Sequence, residues 1–380
     1  MKKLFYLSAL ALICFEIANV YFIMPLPGSQ QMNSIDIAYF LYTWRWIFRL
    51  IFGSVLIFSF YKTWSSPRKW IRIVMLIPVA AVCYLFNFVM MADKMFLQPQ
   101  ELILKSSAEN EVPADRIIIG IEHNGEAKAY PVEYLAYHHQ IQDKIGGKEV
   151  IVTYCSVCRS GRVFEPVVKN KSEKFRLVGM DHFNAMFEDE TTKSWWRQVN
   201  GEAITGELKG EKLPEFFSRQ MSLEDWLILY PNSLIMQPDP ASVSQYDPEA
   251  KFEKGESTGS LTGTSHESWE NKSWVIGIEH NEACKAYDWN YLKEKRIVND
   301  HLGGSSIIVV MGDDQKSFAA FENLTSQTAT VSGDTIILCN QKFNLDGVEY
   351  GNTSNRLTKI RAYQEFWHSW QTFHPLTLRY

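Results

Sequence analysis

The sequence predicts an α+β protein: three N-terminal transmembrane helices, then a β-rich domain built from two tandem homologous repeats. Three observations carry this. Apolar residues crowd into long runs within the first hundred positions. The remainder matches itself in register at a fixed offset of 157 residues. Within each matching segment, short β-branched runs alternate with turn residues.

At 380 residues, 46% apolar and 14% aromatic, the chain is long and apolar enough for two ordinary domains and is not disordered. Its net charge of −5, with no Lys/Arg stripe, excludes nucleic acid as a partner.

The apolar runs are 4–24, 37–61 and 73–91, each near the ~20 residues that cross a hydrocarbon core. Lys2 and Lys3 give the first run the look of a signal peptide, but Pro25-Leu26-Pro27-Gly28 follows it with no small-x-small cleavage site. The run is therefore expected to stay as a span, making residues 1–94 a three-helix anchor in the lipid bilayer. Lys62, Arg68, Lys69 and Arg72 lie between the second and third runs, whereas the connection 25–36 has no basic residue. The positive-inside rule then puts the N-terminus in the cytoplasm and everything after about Asp93 in the periplasm or outside the cell, with the anchor in the inner (cytoplasmic) membrane. Glu16 in the first run and Arg45 and Arg49 in the second fall at similar depth, given a rise of about 1.5 Å per residue. They read as a structural ion pair, or more sharply as a quinone or proton site.

Repeat 1 (95–238) and repeat 2 (273–380) flank a linker, 239–272, rich in Ser, Thr, Gly and Glu. Segments 118–165 and 275–322 align without a gap, sharing Glu122-His123-Asn124 with Glu279-His280-Asn281 and Asp143 with Asp300. Gly146-Gly147 matches Gly303-Gly304. Each copy opens with a strand and turns at Asn124-Gly125 or Asn281-Glu282, where a type I′ turn wants positive φ at both positions. A second strand, a short helix (131–137 in copy one) and the runs 150–153 or 307–310 follow. Further strand-like pieces lie at 175–178, 328–331 and 335–338. Ser222, with Glu224 and Asp225 behind it, caps a closing helix.

The central strand of copy one ends in Thr153-Tyr-Cys155-Ser-Val-Cys158-Arg159, whereas copy two has Gly312-Asp-Asp-Gln315 in place of the CxxC. The cysteines are thus specific to one copy, which makes them the leading site. Three chemistries compete. In the first, Cys155 and Cys158 form a thiol–disulfide pair: Cys155 attacks, Cys158 resolves, and Arg159 stabilises the thiolate, with a thiol or disulfide protein as partner. In the second, the pair joins Met180, His182 or Met186 in a soft-metal, Cu(I)-type site; a zinc site lacks its second pair, because Cys284 and Cys339 are isolated in the sequence. In the third, the pair is a local disulfide staple, which over so short a loop stabilises by only about 2 kcal/mol. Binding roles fall to His138, His182, Asn184, Asp189 and Trp196, the last three from the aromatic-polar stretch that also holds Ser194, Trp195 and Gln198. No residue is assigned as a metal ligand, and no cofactor is specified. Phosphate-loop and HExxH motifs are absent.

The run 122–131, Asp143-x-x-Gly-Gly147, Val152-Thr-Tyr-Cys-x-x-Cys158, Asn184…Asp189…Ser194-x-Trp196 and Gly201-Glu-Ala-Ile-x-Gly206 together resemble the bacterial domain-of-unknown-function family 3179 (DUF3179). The resemblance covers about 115–237 and is expected to extend through copy two. Members of that family with selenocysteine in the CxxC imply redox use of the position, and so a possible thiol–disulfide oxidoreductase. The family often has Gly directly after the second Cys, where this chain has Arg159.

Overall fold

The computed structural model describes every residue from 1 to 380 except Ser326. Two compact units emerge. One comprises Met1–Leu97, Glu173–Arg197 and Glu202–Lys212; the other comprises Gln98–Ser172, Gln198–Gly201 and Leu213–Tyr380. Segment 173–212, expected to belong with the CxxC repeat, therefore largely joins the N-terminal helices.

In the first unit, two helices are long and apolar enough to cross a membrane: α1 (Lys2–Tyr21) and a helix at Lys69–Val89 whose last turn is π-helical. Such helices associate with lipid by composition. The run 37–61, expected as one span, is two helices, α2 (Ile35–Thr43) and α3 (Arg45–Lys62), bent by 61°. Trp44 breaks the helical path with φ −93° and ψ 8°, and Arg45 donates to the Tyr42 carbonyl at 2.5 Å. Tyr39 and Tyr42 of α2 pack on Trp195, and Asp36 pairs with Lys209 at 2.9 Å. These partners sit in and beside a four-stranded antiparallel sheet ordered Ala203–Thr205, Trp195–Arg197, Asn184–Asp189, Phe175–Asp181. Polar and aromatic anchoring thus sets the direction of α2, which hydropathy alone does not encode. Glu16 accepts from Arg49 at 2.7 and 2.8 Å and from Asn87, in the π-turn, at 2.9 Å. The ion pair forms with Arg49, while Arg45 is engaged with Tyr42. A cavity of about 780 Å³ lies beside it, lined by Leu12, Arg45, Trp46, Cys83 and Tyr84 among others.

In the second unit, after a short edge strand at Leu104–Lys105, come strands β1 (Ile117–His123) and β2 (Glu126–Pro131), helix α4 (Val132–His138), and strands β3 (Gln140–Ile145), β4 (Lys148–Cys155) and β5 (Ser160–Phe164). Strand β6 (Arg219–Ser222), helix α5 (Leu223–Leu229) and strand β7 (Leu234–Met236) complete its first half. The second half runs β8 (Trp274–His280), β9 (Ala283–Asp288), α6 (Trp289–Lys295), β10 (Ile297–Leu302), β11 (Ser305–Met311) and β12 (Phe318–Glu322). It closes with β13 (Ala362–Phe366), α7 (Trp367–Phe373) and β14 (Leu378–Arg379).

Pairings in the two halves correspond residue by residue. Gly120 faces Ala129 and Arg219, as Gly277 faces Ala286 and Tyr363. Tyr154 faces Gly161, as Met311 faces Phe318. The β7–β2 and β14–β9 pairs are both parallel, within otherwise antiparallel sheets. Asn124 and Gly125 take φ of 49° and 79°, and Asn281 and Glu282 take 48° and 65°, as a type I′ turn requires. The Ser222 hydroxyl accepts from Asp225 N at 3.2 Å, the expected cap. Gly120 lies flat under Trp226, and Gly277 under Trp370: a Cβ would stand 2.4 and 2.1 Å from the respective rings. Each half thus buries an indole from the closing helix against a bare strand glycine, and both indoles are essentially fully buried.

Segment 239–272, read from its polarity as a linker, is strapped onto the first half. Tyr246 packs against Tyr134, with ring centroids 4.6 Å apart and the planes tilted by 47°. Arg116 donates to the Asp247 carbonyl at 2.8 Å, and Glu253 accepts the Ile117 amide at 2.8 Å.

Candidate functional site

Strand β4 is a fully buried run from Val150 to Cys155, so it carries its terminal cysteine into the interior. Cys155 pairs with Ser160 across the hairpin, leaving 156–159 as the turn. Both cysteines are 0% exposed, and no disulfide links cysteines among the described residues. Gln198 clamps the strand ends: its amide donates to Thr153 Oγ1 at 3.1 Å and Ser160 O at 3.0 Å, and its carbonyl accepts from Ser160 Oγ at 2.8 Å.

Arg159 closes the turn with φ +56°. That is a conformation glycine enters freely, and one that costs a larger residue roughly 1 kcal/mol. Its side-chain contacts offset this. The guanidinium donates to Phe252 O at 2.8 Å, Glu253 O at 2.9 Å and Gln364 Oε1 at 3.1 Å. It also lies 3.6 Å over the Trp274 ring. Burial pushes its pKa down to about 10. Arg159 therefore joins the CxxC turn to the strap and to the second half. Next to it, Arg162 forms a buried ion pair with Glu365 and stacks 3.3 Å over Tyr363.

A cation whose charge couples to both sulfurs is Lys272, which the sequence reading did not single out. Its ammonium donates to Val157 O, inside the turn, at 3.0 Å, and also to Leu261 O. Burial pushes its pKa down to about 8, while Cys158 and then Cys155 act in the opposite sense. His368 stands nearby, held down to about 4 by burial and then by the Lys272 charge. The second half also closes directly on the motif, because Phe366 N donates to Cys158 O at 2.9 Å.

Of the adjacent histidines, His138 hydrogen-bonds Tyr246 Oη at 2.7 Å. His139 is the one that engages the CxxC strand: its Nδ1 lies 3.0 Å from Tyr154 O, and Tyr154 N donates to its carbonyl at 3.0 Å. Burial pushes His139 down to about 4.

His182, Asn184, Asp189 and Trp196 belong to the other compact unit, as do Met180 and Met186. Asp189 is a turn lock there. Its carboxylate accepts from Thr192 N and Oγ1 at 2.5 and 2.7 Å, Ser194 N at 3.1 Å and Trp196 Nε1 at 2.9 Å. His182 lies 2.8 Å from Asp181 Oδ1 and 3.1 Å from Asn33 Oδ1, and its bond to Asp181 raises its pKa against the opposing effect of burial. Asn184 is fully buried at a strand start. Gln198, from the same aromatic-polar stretch, is the member that reaches the cysteine hairpin.

Fold and site together define a protein with apolar N-terminal helices and a β-rich unit that encloses a CxxC turn. The chain belongs to the family described as "Protein of unknown function (DUF3179)", whose profile matches residues 101–377 and so takes in both halves of that unit. No curated protein and no solved structure matches it.

Proposed function

We propose that this is a membrane-anchored, extracytoplasmic dithiol protein in which Cys155 and Cys158 cycle between dithiol and disulfide. The observation that carries the reading is Lys272, a partly buried ammonium fixed on the carbonyl between the two cysteines. Keeping a charge there is unfavourable, as its depressed pKa records, and an ammonium beside a thiol favours the reactive thiolate. In the exchange, the Cys155 thiolate attacks a partner disulfide and expels one partner thiolate. Cys158 then attacks the Cys155 sulfur and releases the second. The partner gains two electrons and the chain is left oxidised.

The matching pairings and the indole-on-glycine packing support a duplication in which the second half has become the cover of the first. The α2–α3 pair serves as the third span. The basic residues around the apolar runs support a cytoplasmic N-terminus and a periplasmic or extracellular β-rich unit; an inactive alkaline-phosphatase fusion at the C-terminus would sink that orientation.

A second reading, a purely structural pair, is favoured by the complete burial of both sulfurs. Thiol trapping of the full chain across a glutathione series, with metal analysis of the same sample, separates the readings. A midpoint near about −200 mV supports exchange, and a bridge resistant even to strongly reducing poise identifies a staple. Stoichiometric copper that disappears in Cys155→Ser would replace both with a soft-metal site.

A further inference from the structure

A second group of donor atoms lies in the other half of the β-rich unit. Glu279 on β8 and Cys284 on β9 are direct cross-strand partners, so their side chains share one face of the sheet. His374, which ends α7, reaches the same place. The three donor atoms all lie within 4.8 Å of one another. His374 Nε2 stands 3.5 Å from Glu279 Oε2. Two ligands about 2.0–2.2 Å from a tetrahedral zinc lie roughly 3.3–3.6 Å apart, so this edge already has the spacing a metal requires.

The histidine is held as a metal-ligating histidine usually is. Its Nδ1 lies 3.1 Å from the Trp370 carbonyl; a proton donated there leaves the Nε2 lone pair facing Glu279 and Cys284. Its ring stacks 3.8 Å from the fully buried Trp370 ring at 18°, which fixes the imidazole plane. Solvent reaches the group from the Glu279 side, where the carboxylate is 62% exposed while the His374 side chain is 12% exposed.

The matching face of the first half lacks this set. Its cross-strand pair is Glu122 and Ala127, and the residue four beyond Trp226, stacked on it at 4.3 Å, is Tyr230. The thiol and the imidazole are therefore additions to a shared frame, independent of the CxxC.

We propose that Glu279, Cys284 and His374 bind a divalent cation of the zinc class, one each of carboxylate, thiolate and imidazole, with a fourth position open to water. The thiolate and imidazole disfavour magnesium and calcium and suit zinc, or cobalt in its place.

The test titrates Co²⁺ into the reduced full chain in detergent micelles. We expect one equivalent to give tetrahedral visible bands and a sulfur-to-cobalt charge-transfer band, both bleached by Zn²⁺. The band survives in Cys155→Ser/Cys158→Ser, disappears in Cys284→Ala, and needs at least tenfold more cobalt in His374→Gln. Alanine is the residue the first half carries at the matching position, so Cys284→Ala is expected to fold, and circular dichroism checks this. A band that persists in Cys284→Ala overturns the proposal. So does a wild type that binds no more cobalt than Cys284→Ala/His374→Gln; the trio is then a surface ion pair beside a thiol.

Discussion

Replacing Lys272 with methionine separates the two roles its position allows. Its pKa is pushed down to about 8 by burial, against an ordinary lysine value of 10.5. Between those values the unfolded chain binds more protons than the folded one, so stability rises with pH through the window and the charged lysine is a burden below it. The separation corresponds to roughly 3 kcal/mol; solvent screening of the partly exposed ammonium reduces this to on the order of 2 kcal/mol. Wild type should therefore gain about 2 kcal/mol between pH 7 and pH 10 relative to Lys272→Met. Tyrosines that titrate at the alkaline end are common to both proteins and cancel in the difference. Denaturant unfolding of the full chain in micelles, followed by tryptophan fluorescence at pH 7, 8.5 and 10, measures it. Parallel pH profiles would refute the electrostatic argument. A loss of more than about 2 kcal/mol at pH 7 in Lys272→Met would show that the bonds to Val157 O and Leu261 O outweigh the cost of charge burial, making the lysine a structural anchor.

Three further outcomes are expected. Arg162→Met strands the fully buried Glu365 carboxylate and should destabilise by about 3–5 kcal/mol; Arg162→Met/Glu365→Met should recover most of this in the same unfolding assay. Gly120→Ala and Gly277→Ala each drive a methyl into an indole and should cost about 1–3 kcal/mol, while alanine at the open turn glycine Gly333 leaves the indoles undisturbed, seen as an unshifted tryptophan emission. His139 titrates near 4 when folded and near 6.5 when unfolded, so stability falls as pH drops through that window. Between pH 7 and 5 wild type should lose about 2 kcal/mol more than His139→Asn, whose asparagine tolerates the residue's positive φ.

What could be read in the sequence was what short-range chemistry fixes. The Asn-Gly turn, the Ser222 cap, the β-branched strand at 150–153 and the two apolar helices each depend on neighbours within a few residues, and each is present. The bend at Trp44 was not legible, because hydropathy scores residues 37–61 alike while the direction of α2 comes from Tyr39, Tyr42 and Asp36 meeting a sheet far along the chain. The cysteine turn was legible as a motif but not as an environment. Lys272, His139, Gln198 and Gln364 reach it only through tertiary pairing. Of two adjacent histidines the sequence reading chose His138, while His139, the left-handed residue that ends α4, bonds to the CxxC strand. Cys284 looked isolated for the same reason: its neighbours are a cross-strand glutamate and a histidine at the far end of a helix. The glycine the family often places after its second cysteine did carry a usable signal, since φ +56° at Arg159 is the conformation such a glycine implies.

The burial of the cysteines constrains how any exchange must work. Two elements close over the turn: the strap, through Phe252, Glu253 and Lys272, and β13, through Phe366 and Gln364. Arg159 bonds to the Phe252 and Glu253 carbonyls and to Gln364, and Arg162 pairs with Glu365, so the cover is held by polar groups that are costly to strand singly and not by apolar packing alone. Such a cover does not loosen at one contact. Exposing the sulfurs requires the strap or β13 to be displaced, because both lie over a turn whose cysteines are fully buried. A dithiol built for indiscriminate exchange has no use for this arrangement. On the proposed exchange reading, a partner must displace β13 or the strap before it reaches either sulfur, and Lys272, bonded to Val157 O, lies beside the turn that would be opened.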